Sequence, residues 1–416
     1  MSTKDSTKRK RFLLPKLALV LFGLLIGAII AEVGLRAAGY SYPGFYMPDY
    51  TLGHALIPGR EGWYRKEGES YVRINGAGFR DREHVKSKPE NTIRIAVLGD
   101  SHTEALQVSV EQAFWAIMEQ RLRSCQALAD KQIEVLSFGV SGYGTAQELL
   151  TLREKVWDYA PDIVLLAITT NNDISDNARA LKKTDEAPYF VYQEGKLVLD
   201  DSFKSSRSFQ WRRSKISNWG RWIKDHSRLL QAINQAHHGF KILLASWKSE
   251  PGSSQASSPN GRTANTDLAG RSEELGADNL IYLKPLNSVW EDAWRVTEGL
   301  ILTMRDEVES RGAKFVVVTL SNGPQVLPDP QARKAYMQRF GVDDFFYPDK
   351  RISELCQRGK IPVITLAPEL QAAAEKEHIF LHGFGSDIGN GHWNVAGHAR
   401  AGELIAQKLC QGVFEK

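Results

Sequence analysis

The sequence predicts a three-layer α/β fold: a parallel sheet with helices on both faces, a long insertion after the third strand and an apolar helix in front. Three observations predict it. Short β-branched runs recur at residues 93–98, 133–138, 163–169, 314–320 and 361–365, apolar enough to be covered on both sides. Helical patterns separate them, at 111–124, 145–158, 287–311, 350–358 and 396–410, and strand–helix alternation implies parallel pairing. Small polar residues then gather where strands end or helices begin, the edge at which open α/β sheets bind ligands.

The N-terminus comes first. Lys8-Arg9-Lys10-Arg11 precedes Phe12–Ala31, which is apolar apart from Lys16. About 20 apolar residues suffice to span a bilayer, and a basic cluster stays on the cytoplasmic side. The sequence therefore reads as a cytoplasmic tail (1–11) and a transmembrane anchor (12–34). A cleaved signal peptide competes with this, because Ala37-Ala38-Gly39 offers a small-residue cleavage site; the anchor is favoured. The chain's net charge of +4 comes from this end: residues 1–16 hold six Lys/Arg and one Asp, leaving 47 against 48 beyond them. No nucleic-acid footprint follows from that balance.

Residues 35–90, rich in Tyr, Gly, Pro and Arg, read as a juxtamembrane collar with a strand-like Ser70–Ile74 and a turn at Asn75-Gly76. The first sheet strand, 93–98, runs into Gly99-Asp100-Ser101-His102-Thr103. The second runs into Gly139-Val140-Ser141-Gly142, and the third into Thr169-Thr170-Asn171-Asn172-Asp173. The insertion, 174–285, opens with a hairpin turning at Glu194-Gly195. Residues 203–248 then carry ten Lys/Arg against the single acid Asp225, with Phe209, Trp211, Trp219, Trp222 and Trp247 interleaved. A solvated lid face, contact with anionic lipid and an acidic polysaccharide all fit that composition. Residues from 249 to about 275 read as disordered. Near the end, Gly391-His392-Trp393-Asn394 opens the last helix.

Serine, glycine, asparagine and histidine blocks in this order resemble the SGNH (GDSL-type) hydrolases, and the likeness covers residues 91–416. It implies a flavodoxin-like sheet and an ester-cleaving serine site. Ser101 would be the nucleophile and His392 its general base; the Ser101 and Gly142 N–H groups and the Asn172 amide would form the oxyanion hole. His102, Asp173 and Trp393 are candidate substrate contacts. Each residue type suits its role, since a hydroxyl needs a base to become nucleophilic, and fixed uncharged donors stabilise the oxyanion.

Two departures from the family pattern stand out. Asn171 or Thr170 precedes the Asn-Asp pair where glycine is usual. The triad acid is also missing: the positions two and three residues before His392 are Asn390 and Gly389, and the nearest upstream carboxylate is Asp387. Either Asp387 folds back to His392, or a neutral acceptor such as Asn390 assists a Ser-His dyad. His382, Asp387, His392 and His398 match no common zinc spacing, so neither a metal nor another cofactor is expected.

In a flavodoxin-like sheet the helices ending at Cys125 and Cys410 are neighbours, so these two of the three cysteines are a candidate disulfide; Cys356 reads as a buried thiol. The expectation is a single-pass protein of the bacterial inner membrane with its catalytic domain in the periplasm. It would remove acyl groups, acetyl among them, from an envelope carbohydrate or lipid. His392-Trp393-Asn394 also resembles the alginate O-acetyltransferase branch, which leaves acyl transfer to a polysaccharide hydroxyl open. A degenerate glycan-binding scaffold is the third reading.

Overall fold

The computed structural model describes residues 4–237 and 279–414. Two antiparallel hairpins precede the sheet: β1 (Tyr46–Asp49) with β2 (Gly53–Leu56), and β3 (Glu61–Tyr64) with β4 (Ser70–Arg73). The sheet strands are β5 (Thr92–Gly99), β6 (Gln132–Ser137), β7 (Ile163–Thr169), β10 (Lys314–Leu320) and β11 (Val363–Thr365). Between β7 and β10 comes the expected hairpin, β8 (Tyr189–Gln193) with β9 (Lys196–Asp200). β11 starts later than the apolar run because Pro362 has no N–H to donate; its carbonyl still accepts from Val317.

All five sheet strands are parallel, in the order β6-β5-β7-β10-β11. That is the flavodoxin-like order, so the chain reverses direction across the sheet between β5 and β7. Side-chain alternation splits the core. Ala96, Leu98, Val164, Leu166, Phe315 and Val317 face one layer, with Leu149, Trp294 and Met304 from helices Thr145–Glu154 and Ser288–Ser310. Ile95, Val97, Leu165, Val316 and Val318 face the other, with Trp115, Met118 and Ile405 from helices Phe114–Leu122 and Val395–Leu409. On that second face Cys125 and Cys410 are joined in a disulfide, while Cys356 is buried among the residues of the first.

Two helices beyond those expected complete the layers, Pro330–Phe340 and Ala367–Glu377. The first has a legible start, with Asp329 capping the Gln331 N–H at 2.8 Å ahead of Pro330.

The described residues fall into two compact units, one of 4–44 with 214–237 and one of 45–213 with 279–414. The expected collar is thus divided, with residues 45–90 belonging to the sheet's unit. In the smaller unit the helix Lys4–Ala37 contains the stretch Pro15–Ala37, 23 residues of which the most apolar 18 have a mean hydropathy of 2.5 and are not buried. By length and composition that stretch is a candidate span, displaced slightly from the expected 12–34. The whole segment expected to be disordered, 249 to about 275, lies outside the described residues, as does Trp247.

Candidate active site

The site begins at the carboxyl end of β5, at the switch point where the chain's path across the sheet reverses. Asp100 caps the one-turn helix Ser101–Glu104, accepting the His102 N–H at 3.0 Å. This holds Ser101 half-buried at the sheet edge with its hydroxyl turned toward the last loop. His392 Nε2 lies 2.8 Å from Ser101 Oγ. These two residues come from opposite ends of the larger unit, as expected for a nucleophile and its base.

The other imidazole nitrogen decides the missing acid. Glu67, in the turn between β3 and β4, places Oε2 2.5 Å from His392 Nδ1 and accepts the His392 backbone N–H through Oε1 at 2.7 Å. Neither Asp387 nor Asn390 makes a hydrogen bond to the ring. The loop from 383 to 391 closes on itself, Gly383 N–H to His392 O and Gly389 N–H to His382 O, which leaves the turn Gly385–Asp387 and Asn390 exposed. Gly391 admits the carboxylate: a Cβ there would lie 2.3 Å from Glu67 Oε1. Burial opposes protonation of His392, but the hydrogen bond and charge of Glu67, with Asp100 and Glu104 adding, hold it above its ordinary value. Burial would raise Glu67 in turn, yet its bonds to His392 keep it below the usual carboxylate range. A base held in one tautomer by an ionised partner is poised to take the Ser101 proton and to stabilise the resulting charge.

The three expected oxyanion donors lie after three adjacent strands of the sheet, β5, β6 and β7. Among the described residues no partner takes the N–H of Ser101 or of Gly142. The Asn172 amide donates to Asp100 Oδ2 at 2.9 Å, and the same oxygen lies 3.4 Å from Ser101 Oγ, so the amide stands beside the nucleophile with a second hydrogen to give. Gly142 has φ +79, a left-handed conformation that favours glycine. Its peptide is held from the other side. His54, on β2, has its Nε2 2.9 Å from the Ser141 carbonyl oxygen; since a carbonyl only accepts, this nitrogen donates. Burial lowers His54 to about 4, so it is neutral. Fixing the Ser141 carbonyl fixes the plane of the peptide whose N–H is Gly142's. Glu104 accepts both the Ser141 N–H at 2.9 Å and its hydroxyl, and Tyr46 of β1 donates to the same carboxylate. Burial pushes Glu104 up to about 7.

With this geometry in hand, likeness to known proteins adds context. No family model and no curated protein matches the chain. Solved structures do resemble it. One is an acetyl xylan esterase, 13% identical, with TM-score 0.36, covering 77% of this chain and 100% of the other. Another is a catalytic mutant of an acetylxylan esterase from Geobacillus stearothermophilus, 11% identical, with TM-score 0.35 and coverage of 79% and 97%. A third, from Desulfitobacterium hafniense and assigned to the G-D-S-L lipolytic family, is 12% identical, with TM-score 0.32 and coverage of 76% and 99%. Likenesses of this size say nothing about activity, and the chemistry is read from the side chains.

Three expected substrate contacts do not face solvent. His102 is buried beneath the base, its ring 5.0 Å from that of His392 and 5.2 Å from Trp393. Burial holds His102 well below its ordinary value, so it packs as a neutral ring. Trp393 is fully buried and donates to Ser321 Oγ at 2.9 Å. Asp173 is buried too; it accepts the Thr169 N–H at 2.7 Å and ties off the end of β7. In each case the side chain one position from a site residue turns into the protein. Of the contributors missed in the sequence, Glu67, His54 and Tyr46 sit on the two collar hairpins, and Glu104 on the short helix that starts at Ser101. The only signal for the first three was the collar's density of polar and aromatic residues.

Proposed function

We propose that this chain is a membrane-anchored serine esterase that removes acyl groups, acetyl among them, from a carbohydrate or lipid of the bacterial envelope. The observation that carries the reading is the continuous hydrogen-bonded line from Ser101 Oγ through His392 to Glu67. His392 takes the Ser101 proton as the hydroxyl attacks the ester carbonyl. The N–H groups of Ser101 and Gly142 and the Asn172 amide receive the developing oxyanion. His392 then returns the proton to the departing alcohol, leaving an acyl-serine that water attacks with His392 again as base.

An uncleaved anchor in the inner membrane, with the catalytic domain in the periplasm, completes the proposal. Its support is local. Glu32 accepts hydrogen bonds from Ser227 Oγ, Arg228 N and Leu229 N, and Arg36 donates to His226 O. Cleavage after Ala38 would strip both partners from the junction between helix Lys215–His226 and the helical residues that follow it.

Turnover of short-chain p-nitrophenyl esters, with and without a sugar acceptor, tests the function. Acceptor-independent hydrolysis supports the esterase, acceptor-dependent turnover makes it an acyltransferase, and silence in both leaves a binding scaffold.

A further inference from the structure

We propose that residues 214–237 lie in the extracytoplasmic interface of the membrane, apolar face in the acyl boundary and basic residues on anionic lipid headgroups. The inference rests on the anchor reading above and adds a second membrane contact to it. The helix Lys215–His226 places Ile216, Trp219, Trp222 and Ile223 on one arc, with Lys215 and His226 at its two ends, and Ser217, Asn218, Gly220, Arg221, Lys224 and Asp225 on the remaining surface. Ile216, Trp219 and Trp222, with Ile233 of the following 228–237 helix, are between 56% and 69% exposed. So much open aromatic and aliphatic surface on these helical residues calls for an apolar neighbour.

The position of that surface along the chain identifies the neighbour. The junction of the two helices is bound to the last two turns of the apolar helix, through Glu32 to residues 227–229 and Arg36 to His226. Residues 42–44 close the connection, Tyr42 N–H donating to Gln231 and Gly44 N–H to Asp225. A helix pair fixed where a membrane span ends lies at the depth of the headgroups. That layer favours tryptophan and amphipathic helices. Charge points the same way: Lys215, Arg221, Lys224 and Arg228 stand against Asp225 alone. An anionic bilayer is complementary to that excess.

The test uses the full-length protein in phosphatidylethanolamine–phosphatidylglycerol vesicles, with a nitroxide at Ile216→Cys or, as a control for the span, at Leu24→Cys. Cys356 is buried and Cys125–Cys410 are joined, so the introduced thiol takes the label. Oxygen partitions into the bilayer and a nickel chelate stays in water. Both labels should collide more with oxygen than with nickel, and Lys215→Glu with Lys224→Glu should shift the Ile216 label toward nickel. A Leu24 label in lipid with an Ile216 label open to nickel overturns this inference and leaves the anchor. An Ile216 label closed to both reagents means a protein covers the face and also overturns it. A Leu24 label open to nickel removes the anchor and the inference together.

Discussion

The Glu67 carboxylate grips His392 at two points, ring Nδ1 and backbone N–H, across 325 residues of sequence. The acid that orients the base thus comes from a hairpin ahead of the sheet rather than from the loop that carries the base. Replacing it separates the candidates. Glu67→Gln should lower kcat toward the ~10⁴-fold loss typical when a triad imidazole loses its working tautomer, with KM little changed. Asp387→Asn should leave turnover of the same ester near wild type.

The pH profile should carry the same signature. The base must be neutral to act, so kcat/KM should rise with pH through the His392 pKa, which Glu67 holds above its ordinary value. Removing the carboxylate removes the largest effect opposing burial. The rising limb of Glu67→Gln should therefore move to lower pH while the plateau drops, and an unmoved limb would show that Glu67 does not act through the imidazole.

His54 should behave as a positioning residue for the oxyanion hole. Loss of one oxyanion donor typically costs about 2.7–4 kcal/mol of transition-state stabilisation, and a displaced donor less. His54→Ala is expected to lower kcat about 10–100-fold with KM nearly constant. Circular dichroism and a denaturant midpoint report whether the fold survives.

The Cys125–Cys410 bridge closes a loop of 285 residues on one face of the sheet. The chain-entropy account gives on the order of 5 kcal/mol for a loop that long. Urea titration of oxidised and reduced protein at equal slope should show a lower midpoint for the reduced form. Cys125→Ser should match the reduced wild type.

Much of this architecture is legible in the chain. The strands 163–169 and 314–320 have the expected bounds because both faces of each are covered, leaving an unbroken apolar run. Ser101, Gly142, Asn172 and His392 are legible because strand ends and helix starts bring them to one edge. Glu67 is not, since it is one of two acids, with Glu69, in the short turn between two strands, a turn carries no periodicity, and its partner is set by tertiary packing. His102 and Trp393 mislead for a related reason. Adjacent residues in these loops point opposite ways, so nearness in sequence to a catalytic residue says nothing about access to substrate. The helix Ala367–Glu377 is Ala-rich with a thin apolar stripe, a weak signal beside the strong one of Val395–Leu409.

The central claim is that Ser101 is a nucleophile activated by His392. Treatment of the folded protein with a fluorophosphonate, followed by intact-mass and peptide mapping, tests it most directly. The wild type should gain one adduct, on Ser101, and lose esterase activity in step with labelling. Ser101→Ala should gain none, and His392→Ala should label far more slowly. Wild-type protein that stays unlabelled at Ser101 while hydrolysing ester, or Ser101→Ala protein that retains turnover, would contradict the account.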